Sequence, residues 1–460
     1  MKLVILGGGG FRVPLVYDAV ATNALAASGR PMVDITEVVL HDSSAERLEA
    51  VGRVIGEWAR QLVDPPAVRL TTDLRDAVAG AHFVFAAIRV GGAEGRIADE
   101  RVALDLGLLG QETVGPGGLA YALRTVPVMR AVAETIADVA PDAWTINFTN
   151  PAGIVTEVMR AVLGDRVVGI CDTPIGLVRR VSRLLGVSLE DDRDRVAYDY
   201  VGLNHLGWLR SVSVDGVDRL PGLLADDGAL ERIEEARLLG KPWVRAMGAL
   251  PNEYLYYYWK TDEAIGTIRR SGQTRGQYLH GQQGRFYDEV ACCDSPLALW
   301  REALREREAT YMAEARDPHE ERLEEDVAGG GYQEVALRLM TALATGEPER
   351  MILDVGNRSG AGRIVPELPD DTVIEVGCLA DGSGVHPLPV GPVTLPQLGQ
   401  MSTVRAAEAA IAEAALTGSE AKAWEGFSIH PLVGSPRLGR ALLDGYVEAH
   451  PSIAELLRRA

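Results

Sequence analysis

The sequence predicts an α/β fold built on a doubly wound parallel sheet, with a second α+β domain. Three observations carry the prediction. Short apolar runs that read as strands alternate with segments whose apolar residues recur at helical spacing. The first run, Lys2-Leu3-Val4-Ile5-Leu6, leads directly into four glycines, Gly7 to Gly10. The 460 residues exceed one ordinary hydrophobic core, so two closely joined domains are expected. The alternation is strict over residues 1–195 and fades over 196–460, which places the boundary between them.

Residues 2–6, continuously apolar after Lys2, form the first strand; Gly7 to Gly10 form a tight loop, and Pro14 to Ala27 a helix. Glu37 to Asp42 is a second strand closing on an acid, followed by a helix over Ala45 to Leu62 and a third strand over Ala67 to Thr71. His82 to Ala87 is a fourth strand. Trp144 to Phe148 and Val167 to Ile170 are further parallel strands, each ending in polar loop residues. Open α/β sheets bind ligands at the carboxyl ends of their strands, so these loops should converge on one crevice. Farther on, Ser295 to Ala315 and Tyr332 to Leu343 read as helices. Between them Arg316 to Gly331 is acidic and ends in glycines, which marks a mobile loop without chemistry.

A net charge of -19 argues against nucleic acid or an anionic membrane as partner, since both need a basic surface,. An anionic small substrate remains compatible through a local arginine cluster. No run reaches the roughly 20 apolar residues that span a bilayer, and the apolar start is too short for a secretion signal. Of the cysteines, Cys292 and Cys293 are adjacent and poorly placed to bridge each other; with Cys171 and Cys378 they do not read as a disulfide framework,. A soluble, unprocessed, cytoplasmic protein is expected.

The strand, glycine loop and helix at the N-terminus make the first domain Rossmann-like. Its backbone amides can approach a pyrophosphate at a helix N-terminus, and Gly8, Gly9, Gly10, Phe11 and Arg12 are the expected contacts. The G-x-G-x-x-G spacing does not close, because Arg12 or Val13 falls where the third glycine would stand, and Asp42 comes about ten residues later than usual. Asp42 at a strand end would accept from a ribose 2′-hydroxyl and repel a 2′-phosphate, favouring NAD over NADP. The alternative is a plain turn that needs glycine for tight packing.

Cys171, at the end of the Val167 to Ile170 strand, and His205, in Gly202-Leu203-Asn204-His205-Leu206-Gly207-Trp208, come from separate loops. Thiolate and neutral imidazole suit a soft-to-borderline divalent metal. Blander readings stand beside this one: a structural cysteine, a backbone-bonded imidazole, an Asp172 that caps the helix after Thr173-Pro174, and a packed aromatic face over Tyr254 to Trp259. Arg269, Arg270 and Ser271 fit either a phosphate or a solvated helix end.

Together the motifs resemble the family-4 glycoside hydrolases, over most of the chain. The resemblance rests on the glycine loop, Ile88-Arg89-Val90-Gly91-Gly92, Gly110-Gln111-Glu112-Thr113, Gly115-Pro116-Gly117-Gly118 and Asn147-Phe148-Thr149-Asn150-Pro151. It continues through Cys171-Asp172-Thr173-Pro174, Gly202-Leu203-Asn204-His205, Pro251-Asn252-Glu253-Tyr254 and Thr274-Arg275-Gly276. It implies an enzyme that uses NAD and a divalent metal, usually Mn2+, to cleave glycosides, very often 6-phosphorylated ones, by oxidation at C3, deprotonation at C2 and elimination at C1. On the matching positions it implies Cys171 and His205 as metal ligands, Tyr254 as C2 base and Asp172 as proton donor to the leaving oxygen. Arg96, Glu112, Asn150 and Arg275 would contact the sugar. NAD binding would fall to residues 1–195; substrate, metal and subunit contacts would fall to 196–460, in a homodimer or homotetramer.

Two departures matter. Gly10-Phe11-Arg12-Val13-Pro14 replaces the serine-rich, Thr-Pro loop common in members acting on phosphorylated sugars, so Arg12 must either stand in for those hydroxyls or neutralise the cofactor pyrophosphate. Asp172 matches the branch acting on 6-phospho-α-glucosides, whereas the N-terminal and tyrosine-cluster segments look closer to the 6-phospho-β-glucoside branch, which is the expected one. A non-phosphorylated glycoside is the further alternative within the family. From other classes, an NAD-dependent hydroxy-acid dehydrogenase would share the N-terminal half but has no need of the Cys171 and His205 pair, and a non-catalytic sensor would have lost the chemistry.

Overall fold

Among the residues described by the computed structural model (1–22, 31–312, 315 and 331–458), the strands join into one mixed sheet. Its first half is β1 (Lys2–Leu6), β2 (Glu37–His41), β3 (Ala67–Thr71), β4 (Phe83–Ala86), β5 (Trp144–Asn147) and β6 (Val167–Gly169). These lie in the order β3-β2-β1-β4-β5-β6 and every pair is parallel. Leu3, Val4, Ile5 and Leu6 are all buried, as expected of a central strand covered by helices on both faces. The expected strands are therefore present.

The second region comprises β7 (Val196–Leu203), β8 (Leu206–Val214), β9 (Val217–Asp218), β10 (Leu250–Pro251), β11 (Glu349–Gly356), β12 (Val373–Asp381) and β13 (Gly384–Pro387). It does not build a sheet of its own. β11 pairs antiparallel with β6 at Asp354 and Gly169, and β12, β7, β8 and β10 continue outward from it. A parallel sheet ending at β6 would leave unpaired N–H and C=O groups along that edge, and β11 covers them.

The helices begin where the sequence places them and some stop earlier. Ser44 accepts the Arg47 N–H at 3.2 Å and starts a helix that runs over Ala45–Ala59. The first helix spans Val13–Ala21, and residues 23–27 of the expected helix lie outside the described residues. The Ser295 helix spans Pro296–Ala309 rather than reaching Ala315, because the chain turns through Met312 (φ 48°) and carries the Tyr311 hydroxyl to Glu253, 2.7 Å away. The Tyr332–Thr345 helix forms as expected; residues 316–330, read as a loop, lie outside the described residues. No described helix is long and apolar enough to cross a membrane, and all the cysteines are free.

The C-terminal helices Leu395–Thr417 and Glu420–Ile429 pack on the Gly115–Val139 helix, and Pro436–Ala449 packs on Glu420–Ile429 and on the Gly92–Asp105 helix, in one core with Leu123, Ile411, Phe427 and Tyr446. A buried ion pair ties them to the sheet half. Asp99 accepts from both terminal nitrogens of Arg124 at 2.7 Å, His450 Nε2 lies 2.9 Å away, and the Tyr446 hydroxyl donates to the Asp99 carbonyl at 3.0 Å. Removing one partner of such a pair leaves a buried, uncompensated charge. Asp99→Ala should therefore lower the unfolding free energy by about 3–5 kcal/mol, read as a lower urea midpoint; a loss below about 1 kcal/mol, the worth of an exposed pair, would contradict this role.

Candidate active site

The glycine turn is built by its own amides. The Gly7 and Gly8 N–H groups donate to the His41 carbonyl at 2.9 and 2.7 Å, and Gly10 N–H donates to Gly7 O at 2.9 Å. Asp42 receives Gly9 N–H at 3.1 Å and Ser44 N–H at 3.0 Å. A Cβ on Gly8 would lie 2.7 Å from Leu40 Cβ, so the close approach of turn to strand requires glycine there. With the glycine amides engaged, the N–H groups of Phe11 and Arg12 are the ones without a partner among the described residues. An anion at this helix start would meet them. The Phe11 ring itself packs against Phe286 and Trp300, at 5.2 and 6.4 Å between centroids, and so holds the later helices to the turn.

Cys171 lies buried just past β6. Asp172 stands at the start of the Thr173–Leu184 helix but makes no side-chain cap there. Its carboxyl lies within reach of the Arg12 charge; burial raises its pKa and the Arg12 charge opposes that rise. His205 sits in the two-residue turn between β7 and β8, where Leu203 pairs with Leu206, and its backbone is left-handed at φ 63°. The imidazole makes no backbone hydrogen bond among the described residues. It lies flat on Tyr254, with ring centroids 3.8 Å apart at 10°. Burial, with Glu112 opposing, holds the imidazole down to about 4, so it is neutral near pH 7 and one ring nitrogen offers its lone pair.

Tyr254 feels the charges of Glu253, Cys171 and Glu112; burial first and then Glu253 push its phenol well up. Cys171 is likewise pushed up, by burial and then by Glu375 and Asp172. A divalent cation held between Cys171 and His205 would reverse both tendencies, since a coordinated thiol ionises and a neighbouring phenol is acidified. No group of three or more His, Cys, Asp or Glu able to hold a metal occurs among the described residues. Cys171 and His205 are of the residue types that could hold a divalent metal and leave its other positions to substrate oxygens.

A ring of arginines closes the other side. Glu112 bridges Arg89 at 2.7 Å and Arg96 at 2.8 Å; burial acts to raise its pKa, but the two guanidinium groups bring it down to about 2. Arg96 also pairs with Glu100, whose second oxygen receives Gly276 N–H at 2.8 Å. Arg275 donates to Thr310 Oγ1 and the Arg307 carbonyl. Arg12 lies over the Tyr332 ring at 4.4 Å, its Nε buried without a partner. Arg307 is brought down to about 9 by burial and then by Arg12 and Arg275. Such crowding of like charge asks for an anion. Asn150 Oδ1 is also buried and unpartnered, as a sugar-binding acceptor would be before its donor arrives.

The structure thus brings Arg12, Cys171, Asp172, His205, Tyr254, Glu112, Arg96 and Arg275 into one charged network, with Asp42 bound to the glycine turn that precedes Arg12. Sequence reasoning missed Arg307, Tyr311, Tyr332, Asn252 and Glu375 as members. Glu375 had a signal: an acid inside the apolar strand Val373–Asp381 is rarely buried without purpose,. Arg307, in a helix rich in charge, had none.

Residues 2–187 match the model of the family 4 glycosyl hydrolases, and residues 200–433 match the model of that family's C-terminal domain. The chain is 31% identical over 459 residues to a probable 6-phospho-beta-glucosidase of Bacillus subtilis (strain 168), covering 98% of this chain and 96% of that one. It is 28% identical over 432 residues to a maltose-6'-phosphate glucosidase of the same organism, covering 90% and 89%. Among solved structures, the 6-phospho-beta glucosidase from Thermotoga maritima with NAD and glucose-6-phosphate superposes with a TM-score of 0.82 at 25% identity, covering 98% and 99%. A 6-phospho-alpha-glucosidase from gut microorganisms with NAD and Mn2+ gives 0.75 at 27%, covering 97% of each chain.

The buried imidazole has a consequence for stability. His205 titrates near 4 when folded and near 6.5 when unfolded, so the unfolded chain takes up a proton that the folded chain excludes. The contribution of the neutral imidazole is fully present above about pH 6.5 and is lost as the pH falls toward 4. In His205→Gln the pH dependence of the unfolding free energy across this window should be shallower by close to one proton; an unchanged slope would contradict the buried neutral form.

Proposed function

Because the chain belongs to the family 4 glycosyl hydrolases, we propose that it is an NAD- and Mn2+-dependent phosphoglucosidase that cleaves 6-phospho-β-glucosides. One observation carries the reading: a Cys171, His205 and Tyr254 cluster meets Asp172 and a set of mutually repelling arginines in the same crevice. The first group suits acid–base work on a sugar beside a metal, and the second suits a phosphate dianion, which arginine binds as a fork.

When bound, NAD+ would accept hydride from C3 of the sugar and the divalent metal would polarise the 2- and 3-oxygens. Tyr254, held flat against His205, is the group placed to take the C2 proton. The electron pair of the C2–H bond then forms the C1–C2 double bond as the C1–oxygen bond breaks toward the leaving group; water would then add at C1, a proton return to C2 and hydride return to C3, so that hydrolysis closes with no net reduction of the cofactor. Asp172, whose carboxyl burial raises above its ordinary acidity against the opposing charge of Arg12, is the acid that would supply the proton the leaving oxygen needs,. Arg12, Arg96, Arg275 and Arg307 would hold the phosphate, with Arg12 and Arg307 doing what hydroxyls do in other members. The unpartnered Phe11 and Arg12 amides and the Asp42 carboxylate are the groups available to NAD. The nearest competing reading is the α-anomer, which Asp172 favours; β is preferred here on the 31% identical relative's name. Action in the cytoplasm as a homodimer or homotetramer completes the proposal; Leu416, Trp424 and Ile429, apolar and exposed on the C-terminal helices, offer surface for such contacts.

Release of p-nitrophenol from α- and β-glucosides with and without a 6-phosphate, in NAD+ and Mn2+, tests the reading. Cleavage of the phosphorylated β-substrate without net NADH is expected; NADH accumulating with turnover would instead indicate a dehydrogenase. Tyr254→Phe should lose roughly a hundredfold or more in kcat, the usual worth of a general base, together with solvent exchange at C2, while NAD+ binding persists. Arg307→Ala should raise KM for the phosphorylated substrate about tenfold or more, the worth of one charge-assisted bond. It should leave any unphosphorylated turnover unchanged; equal losses on both would remove Arg307 from the phosphate site.

A further inference from the structure

Behind Cys171, His205 and Tyr254 lies a buried chain of hydrogen bonds that the chemistry above does not use. Asn252 stands two residues before Tyr254, just past β10, and is 1% exposed. Its Oδ1 accepts the Tyr254 main-chain N–H at 3.0 Å. A main-chain N–H can only donate, which fixes the orientation of the carboxamide. Its Nδ2 must then point to the two remaining partners, Thr173 Oγ1 at 2.9 Å and Tyr200 Oη at 3.3 Å. Both hydroxyls therefore act as acceptors toward Asn252 and have their own protons left to give. The Tyr200 proton goes to Glu375 Oε2 at 3.0 Å. The Thr173 proton has Cys171 Sγ, 3.3 Å away, as its other partner among the described residues. The second oxygen of Glu375 receives Asn204 Nδ2 at 3.3 Å, and Asn204 is the other residue of the His205 turn.

We propose that Asn252, anchored by Glu375 through Tyr200, is the positioning residue that sets the Cys171 thiol, the His205 turn and the Tyr254 backbone in one register and directs the Thr173 hydroxyl toward the sulfur. The inference rests on the reading of Cys171 and His205 as metal ligands. It assigns to Asn252 the outer-shell role that orients ligands and sets metal affinity. One carboxamide and one carboxylate thereby join the loop after β6, the β7–β8 turn and the segment after β10, none of which is adjacent in sequence.

The test is Mn2+ binding to the full-length protein with NAD+ present, followed by the electron paramagnetic resonance of free Mn2+, with NAD+ affinity and Tm measured alongside. Asn252→Ala should weaken Mn2+ binding about ten- to a hundredfold, with NAD+ affinity unchanged. Tyr200→Phe and Thr173→Val each remove a single hydroxyl and keep the test open should Asn252→Ala fail to fold. Each should weaken Mn2+ binding, and together they should cost less than the product of the separate losses, because they break the same chain. A lowered Tm with wild-type Mn2+ affinity in Asn252→Ala and Tyr200→Phe would reduce the network to scaffolding and overturn the inference alone. Wild-type protein that binds no Mn2+ would overturn the metal reading and the inference with it.

Discussion

The antiparallel pairing of β11 on β6 is the constraint on which the remaining architecture depends. β6 is short, and its pairing with β11 is made at Gly169 and Asp354. A Cβ on Gly169 would lie 2.5 Å from Thr156 Oγ1 and 2.7 Å from Asp354 Cβ, so any larger residue there would push the two halves apart. Because β11 seats there, β12 and β7 follow in order, and Glu375 on β12 arrives behind Cys171 at the end of β6. The His205 turn is carried in by β7 and β8.

The crevice formed in this way concentrates charge that a stable core would avoid. Glu253 is pushed up to about 8 by burial and then by Glu234 and Glu235, and Asp354 up to about 8 by burial and then Glu408. On the opposite wall, Arg307 is brought down to about 9. Acids held neutral stand beside cations crowded together, and pairs of titratable groups driven apart in this manner gather where proton transfer and anion binding occur. Stability is supplied elsewhere, by satisfied pairs such as Asp99 with Arg124 and by the packed helices of the C-terminal region.

Much of the sheet half was legible because its signal is local. Apolar runs of strand length separated by amphipathic helices specify a doubly wound sheet through hydrogen bonding and burial alone, and the helix start at Ser44 follows from capping chemistry, that at Pro296 from proline in the first turn,. The site was legible in part. Cys171 and His205 stood out as soft donors on loops, and Asp172 as an acid with a choice between capping and chemistry; the structure leaves the cap unmade. Phe11 and Arg12 looked alike as loop residues; one ring is a core anchor, while the other side chain lies beside Asp172. Arg307, Asn252 and Tyr311 carried no readable signal, since an arginine in a charged helix or an asparagine in a turn is ordinary until its neighbours are known.

What the sequence determined by itself was whatever depends on residue spacing: the order of strands and helices, the glycine turn with its acid at the next strand end, and the residue types able to hold metal, proton and phosphate. Tertiary structure alone decided what depends on distance between remote segments. Among these are the extension of one sheet across both regions, the stacking of Tyr254 on His205, the gathering of four arginines from three separate helices and a loop, and the orientation of Asn252. The physical reason is that periodicity and turn chemistry act over a few residues, whereas the perturbed acidities and hydrogen-bond polarities of a site arise from burial and from charges that the fold brings together over hundreds.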